Sequence, residues 1–152
     1  MFQCAASVCP QSVSANSYAD THSETIITNM EYFAALQTLD LYLTTLGYLD
    51  EKYVLGSDED LEYYILEELD VDVHSFLYYE NVDILVNAGL IPDTVSERTQ
   101  ELRDLIIRIL ETKRSLDQIR NDIEWKTVRQ IAKNILEEIK VFQDLNPIKT
   151  KE

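Results

Sequence analysis

The side chains in this sequence best able to do chemistry are Cys4, Cys9, His22, His74 and a large stock of carboxylates. Nucleophilic catalysis requires a Ser or Cys within reach of a positioned histidine base. His74 instead lies in an acidic stretch with neither cysteine near it in the chain, which favours a surface or helix-cap histidine. Zinc demands further soft ligands at close spacing, and the two histidines fall in unrelated regions. A disulfide between Cys4 and Cys9 would close a loop too small to add much stability. The triplet Asp58-Glu59-Asp60 could hold an acid/base pair, but among so many carboxylates such a pair arises by chance, and the triplet reads better as a capped helix start. Asp58, Asp60 and Glu62 alternate like the opening of a calcium loop. The central glycine and the later glutamate are missing, and Leu61 and Tyr63 continue a helix. Three glycines at 47, 56 and 89 cannot build a phosphate loop. No catalytic residue, cofactor or metal is expected.

The elements that carry these residues are helices. Three glycines and three prolines in 152 residues leave few sites for the tight turns of an antiparallel sheet. The expected class is all-α, a single-domain bundle of about five helices. The periodicity predicts helix one over 29–47, with Met30, Phe33, Leu36, Leu39, Leu43 and Leu46 inward and Gly47 as a left-handed stop. Helix two runs over 58–69 from a Ser57 cap, with acids in its first turn where the helix dipole favours them, and Leu61, Ile65 and Leu69 inward. Val71-Asp72-Val73 is expected as a linker to helix three, which starts near Ser75, is central, and ends at Gly89. A Thr94-x-x-Glu97 capping box should open a long helix four over 95–120. Asn121 with Glu124 should cap helix five, which carries Trp125, Val128, Ile131, Ala132, Ile135, Ile139 and Phe142 and stops before Pro147. Residues 1–29 are expected as a polar extension without the basic start or apolar stretch of a signal peptide, residues 30–146 as the helical domain and 147–152 as a tail. Cytoplasmic residence is the expectation.

Charge is distributed unevenly over this frame. The chain has 13 Lys and Arg against 28 Asp and Glu, a net charge of −15. With 45% hydrophobic residues it is too apolar for an acidic disordered tail, and no apolar run reaches the ~20 residues of a membrane helix. Residues 30–93 hold fifteen acids and one base, Lys52, whereas residues 94–152 hold eleven acids and twelve bases. The acidic half is thus 30–93 and the mixed-charge half 94–146. All nine tyrosines precede residue 80. Nucleic-acid affinity comes from Lys and Arg displacing counterions from phosphates, so direct nucleic-acid binding and membrane insertion are not expected. A basic protein is the expected partner.

A helical wheel places Asp60, Tyr63, Glu67 and Asp70 opposite the inward stripe of helix two, with Tyr64 nearer the core. On helix three it leaves a polar strip of Glu80, Asp83 and Asn87, with Phe76 on the same line. Together with Asp72 of the linker, the candidate partner-binding residues are Asp60, Tyr63, Glu67, Asp70, Asp72, Phe76, Glu80 and Asp83. Acidic faces are commonly just solvated. The coincidence of charge and tyrosine segregation is what a site for a basic partner needs: acids to steer it and aromatic anchors to hold it.

With its segment SDEDLEYYILEELDVDVHSFLYYENVD, the stretch of residues 48–89 resembles, in character and not by an exact motif, the immunity proteins of bacterial nuclease toxins of the colicin and contact-dependent inhibition type. That resemblance implies an acidic helical surface with paired tyrosines that covers the basic toxin domain, with Tyr63-Tyr64 among Asp60, Glu62, Glu67 and Glu68 in that part. The chain exceeds the length of the colicin DNase group, so helices four and five would be scaffold or follow another immunity family. The alternatives are a nucleic-acid mimic, a regulatory or adaptor protein, an enzyme using buried carboxylates, and a homo-oligomer built through the C-terminal helices.

Overall fold

The structure, a computed structural model, describes residues 28–148. The readings that concern Cys4, Cys9, His22 and most of the expected extension and tail lie outside the described residues. The chain divides into two compact units, Met1–Phe33 and Ala34–Glu152. It is all-α, with α1 (Asn29–Gly47), α2 (Glu51–Val54), a continuous helical run of α3 (Asp58–Leu61), π1 (Glu62–Leu69) and α4 (Asp70–Asp72), then α5 (Tyr79–Asn87), α6 (Thr94–Thr112), α7 (Leu116–Asn121) and α8 (Ile123–Leu145). Among the described residues no helix is long and apolar enough to cross a membrane.

Two long helices that follow α1 in the chain, α6 and α8, carry the core of the second unit. Their amphipathic stripes pack α6 against α8, burying Leu102, Ile106, Ile109 and Leu110 with Val128, Ala132, Ile135 and Ile139. Burial of an aliphatic side chain contributes about 1.5–3 kcal/mol, so this seam is a main source of stability. Tyr42 of α1 is fully buried, and its hydroxyl lies 2.8 Å from Thr99 Oγ1. Thr99 donates its own proton to the Val95 carbonyl, so Tyr42 is the donor and both buried hydroxyls are satisfied. Burial pushes the Tyr42 pKa up to about 12, the Thr99 hydrogen bond pulling the other way.

Several sequence expectations are corrected by the caps. α1 opens on a reciprocal box in which the Thr28 hydroxyl accepts from the Glu31 N–H and the Thr28 N–H donates to Glu31. Gly47 is not left-handed; the positive φ belongs to Gly89, at +74°. There the Leu90 N–H reaches the Leu85 carbonyl and the Gly89 N–H that of Val86, closing α5 in a Schellman turn. Met30 and Phe33 are exposed, Leu36 and Leu43 half-buried, and the buried positions of α1 are Ala35, Leu39, Tyr42, Thr45 and Leu46. Thr94 is the first residue of α6 rather than its cap, and its hydroxyl donates to Glu138 of α8 instead of capping with Glu97.

The long fourth helix is in fact two. Ser115 and Gln118 form the capping box that starts α7, which forces α6 to end at Thr112. The Lys113 carbonyl exposed by that break accepts from the indole N–H of fully buried Trp125 at 2.9 Å. Asp122, not Asn121, caps α8, accepting from the Glu124 N–H. Lys113 then bridges Asp122 and Glu124 at 2.9 and 3.0 Å, which holds both carboxyls below their usual range and the ammonium above its own. Helix three begins at Tyr79 instead of near Ser75, and it is peripheral: Tyr79 and Ile84 are exposed while Val82 and Leu85 are buried.

Candidate functional site

Ser57 sets the start of the acidic segment by accepting from the Asp60 N–H at 3.1 Å, as its sequence signature requires. Asp58, Glu59 and Asp60 then occupy the first turn, where their charge favours the helix N-terminus. From Glu62 the backbone widens into a π-helix of eight residues, with i→i+5 bonding, before returning to α geometry at Asp70. Leu61, Ile65 and Leu69 are all buried, so the inward stripe survives the wider turn. The expected linker at Val71 and Asp72 is largely helical, and the real connection is the turn from Val73 to Tyr78. Val73 and Leu77 pin that turn into the core, and Gln100 of α6 donates to the Leu77 carbonyl at 2.9 Å.

Around the π stretch lies a four-tyrosine cluster of which the sequence displays only one half as a pair. Tyr64 is half-buried at its centre, 4.4 Å from the Tyr53 ring, 5.0 Å from Tyr63 edge-on and 5.7 Å from a stacked Tyr48. Such aromatic pairs contribute about 0.5–1.5 kcal/mol beyond their area. Tyr53 sits on α2 and Tyr48 follows α1, so no local spacing along the chain brings them to Tyr64. Tyr48 is buried, and its hydroxyl faces Glu68 at 3.4 Å and Asp72 at 3.3 Å. Burial, then the two carboxylates, push the Tyr48 pKa up to about 12. Burial likewise raises Asp72, against the lowering effect of the Tyr48 hydrogen bond and with Glu68 adding to the rise.

The eight candidate residues divide into three groups. Asp60, Tyr63, Glu67, Glu80 and Asp83 are exposed, and the four acids have no ion-pair partner among the described residues. Tyr63 is 47% exposed, enough to present a ring edge, and neighbouring Glu68 raises its pKa. Asp70 and Asp72 are corrected, being half-buried and engaged: Asp70 pairs with Arg114 at 3.2 Å and Asp72 accepts from the Tyr48 hydroxyl at 3.3 Å. Phe76 is also corrected, being half-buried in the turn before α5 instead of on its polar strip. Tyr79 and Ile84, which periodicity assigned to a central helix, stand exposed beside Glu80 and Asp83. His74 is exposed in the turn.

The arrangement offers unneutralised carboxylates and amphipathic aromatic edges on a helical run anchored by buried Leu61, Ile65 and Leu69. Among the described residues no group of three or more His, Cys, Asp and Glu converges as a metal site. Comparison with family models, with curated proteins and with solved structures yields no match to this chain.

Proposed function

We propose that this chain is an immunity protein, a stoichiometric inhibitor that covers the substrate cleft of a cognate basic nuclease toxin with an acidic, tyrosine-bearing surface. The observation that carries the reading is the contrast in how carboxylates are used. Of the fifteen acids of residues 30–93 only Asp58 and Asp70 reach an Arg or Lys, whereas five of the ten described acids after residue 93 do; bare Asp60, Glu67, Glu80 and Asp83 stand with exposed Tyr63 and Tyr79. Holding like charges unpaired costs self-repulsion, and a basic partner repays it through steering and local pairing. The aromatic edges supply the short-range affinity that charge alone does not. The protein acts by occlusion and performs no chemistry. It works in the cytoplasm, where a nuclease would meet its substrate.

The test is capture of partners from the source lysate on immobilised protein at low and moderate salt, followed by a nuclease assay of what is retained. One basic nuclease, silenced at a one-to-one ratio and released by Tyr63→Ala or by Asp60→Lys with Glu67→Lys, is the expected result. Retention unaffected by those substitutions moves the site elsewhere. Broad, salt-labile capture of many DNA-binding proteins would instead indicate a nucleic-acid mimic, and no partner at moderate salt would refute the inhibitor.

A further inference from the structure

A second site opens between the end of α1, α2 and α8: a cleft of about 720 Å³, to which none of the eight candidate residues contributes. Its size falls in the range of small-ligand pockets. Leu46, Leu49, Val54, Ala132 and Leu136 give it an apolar floor. Five cations line it, Arg120, Lys126, Arg129, Lys133 and Lys140, against three acids, Asp50, Glu51 and Glu137. This is an inversion of the charge balance of the chain, in which acids outnumber bases by 28 to 13.

The cations are not equally free. Arg120 is spent on the carbonyls of Val54 and Gly56 and on Asp58, and Lys140 lies 3.7 Å from Asp144. The ammonium groups of Lys126 and Lys133 have no hydrogen-bond or ion-pair partner among the described residues, and both residues are exposed at the rim. Arg129 lies between them on the same wall and is half-buried, donating only to the Ile119 and Arg120 carbonyls. The other five arginines each reach a carboxylate within 4.0 Å, whereas Arg129 reaches none among the described residues. Glu51 of the same cleft acts on Arg129 only through space, beyond ion-pair reach, and a desolvated guanidinium is costly unless an anion bonds to it directly. Seven residues of helix separate Lys126 from Lys133, about 10 Å, so the three side chains can converge on one compact anionic group.

We infer that this cleft binds an amphiphilic anion, a phosphate monoester or carboxylate with an apolar tail, its head held by Lys126, Arg129 and Lys133 and its tail laid on the floor from Leu46 to Val54 and on Leu136. Charge complementarity selects the head and the continuous apolar floor selects the tail. The site is independent of the inhibitor reading and survives its failure.

The experiment is a ¹⁵N NMR titration of the full chain with decyl phosphate and with decanoate, each below its micelle-forming concentration, with inorganic phosphate and 1-decanol as controls. Saturable shifts are expected at amides of 46–54 and 126–140, with either control binding at least about tenfold more weakly. Preference between the two amphiphiles identifies the head group. Lys126→Gln with Lys133→Gln, both exposed, should keep the spectrum of the fold and raise Kd about tenfold or more. Absence of saturable shifts, shifts elsewhere, an unchanged Kd in the double variant, or equal binding of a control overturns the assignment. An acidic amphipathic peptide that binds the cleft more tightly than both amphiphiles, or self-association lost in the double variant, would also overturn it, giving the cleft to a protein segment or to a second copy.

Discussion

Arg120 holds the launch point of the acidic segment, and its removal has a magnitude that the geometry divides into two parts. Its Nε donates to the Val54 carbonyl at 3.0 Å and one terminal nitrogen to the Gly56 carbonyl at 3.2 Å, while the other pairs with Asp58 at 2.6 Å. Hydrogen bonds from a charged donor contribute about 1.5–3 kcal/mol each, less where water can replace the donor. Arg120 is 24% exposed, so partial rehydration of the two carbonyls leaves about 2–3 kcal/mol for Arg120→Ala. Asp58 is 71% exposed, and an ion pair to so open a carboxylate contributes at most about 1 kcal/mol. Arg120→Ala should therefore lower the urea midpoint by about 1–2 M, and Asp58→Asn by much less. Arg120→Lys keeps the charge but not the planar fork, and should behave nearly like alanine. Hydrogen exchange should report faster opening of amides in 58–72 in the Arg120 variants. If Asp58→Asn costs as much as Arg120→Ala, or if Arg120→Lys is silent, the link is a plain ion pair and the reasoning is refuted.

Three other outcomes follow from single features. Tyr42 and Tyr48, each with a folded pKa near 12 against an ordinary value of 10.0, should titrate last in an absorbance titration of the tyrosines. A raised folded pKa stabilises fully below the unfolded value, so that stability is lost as pH rises from 10 through 12, about 2–3 kcal/mol of it from Tyr42; Tyr42→Phe should flatten this limb. Asp122 and Glu124 are lowered chiefly by Lys113, so their contribution is present above ordinary carboxylate pKa values and lost as pH falls through the folded ones. The stability gap between wild type and Lys113→Gln should then shrink on acidification, and a gap constant from pH 7 to pH 3 would contradict the bridge. Gly89→Ala should cost about 1–2 kcal/mol because of its φ of +74°. Gly47→Ala should be neutral or stabilise by up to about 1 kcal/mol, since a Cβ there meets nothing within 4 Å; thermal unfolding of both variants separates them.

The sequence alone determined the class of the protein and the composition of its surface. Apolar spacing set the inward residues of the α3–π1 run and most of those of α8: Leu61, Ile65, Leu69, Trp125, Val128, Ala132, Ile135 and Ile139 are buried, while Ile131 and Phe142 are half-buried. Ser57 was legible as a cap because its signature is local, and the acidic half was legible because charge is additive along the chain. Exposed Asp60, Tyr63, Glu67, Glu80 and Asp83 followed from a wheel that needs only side-chain period. Tertiary structure decided what those residues meet. Arg114 takes Asp70 out of the acidic face from 44 residues away, and Tyr48 turns Asp72 inward from 24 residues away. The π stretch changes residues per turn without any local signal, and at its end a fixed 100° wheel put half-buried Asp70 on the open face. Thr94 and Ser115 have similar local chemistry but different fates, and packing against α8 accompanies each: Glu138 captures the Thr94 hydroxyl, and Trp125 captures the carbonyl that the Ser115 break exposes. Periodicity states which side of a helix is apolar, but the partner of a charge or a ring is set by chain segments that only folding brings together.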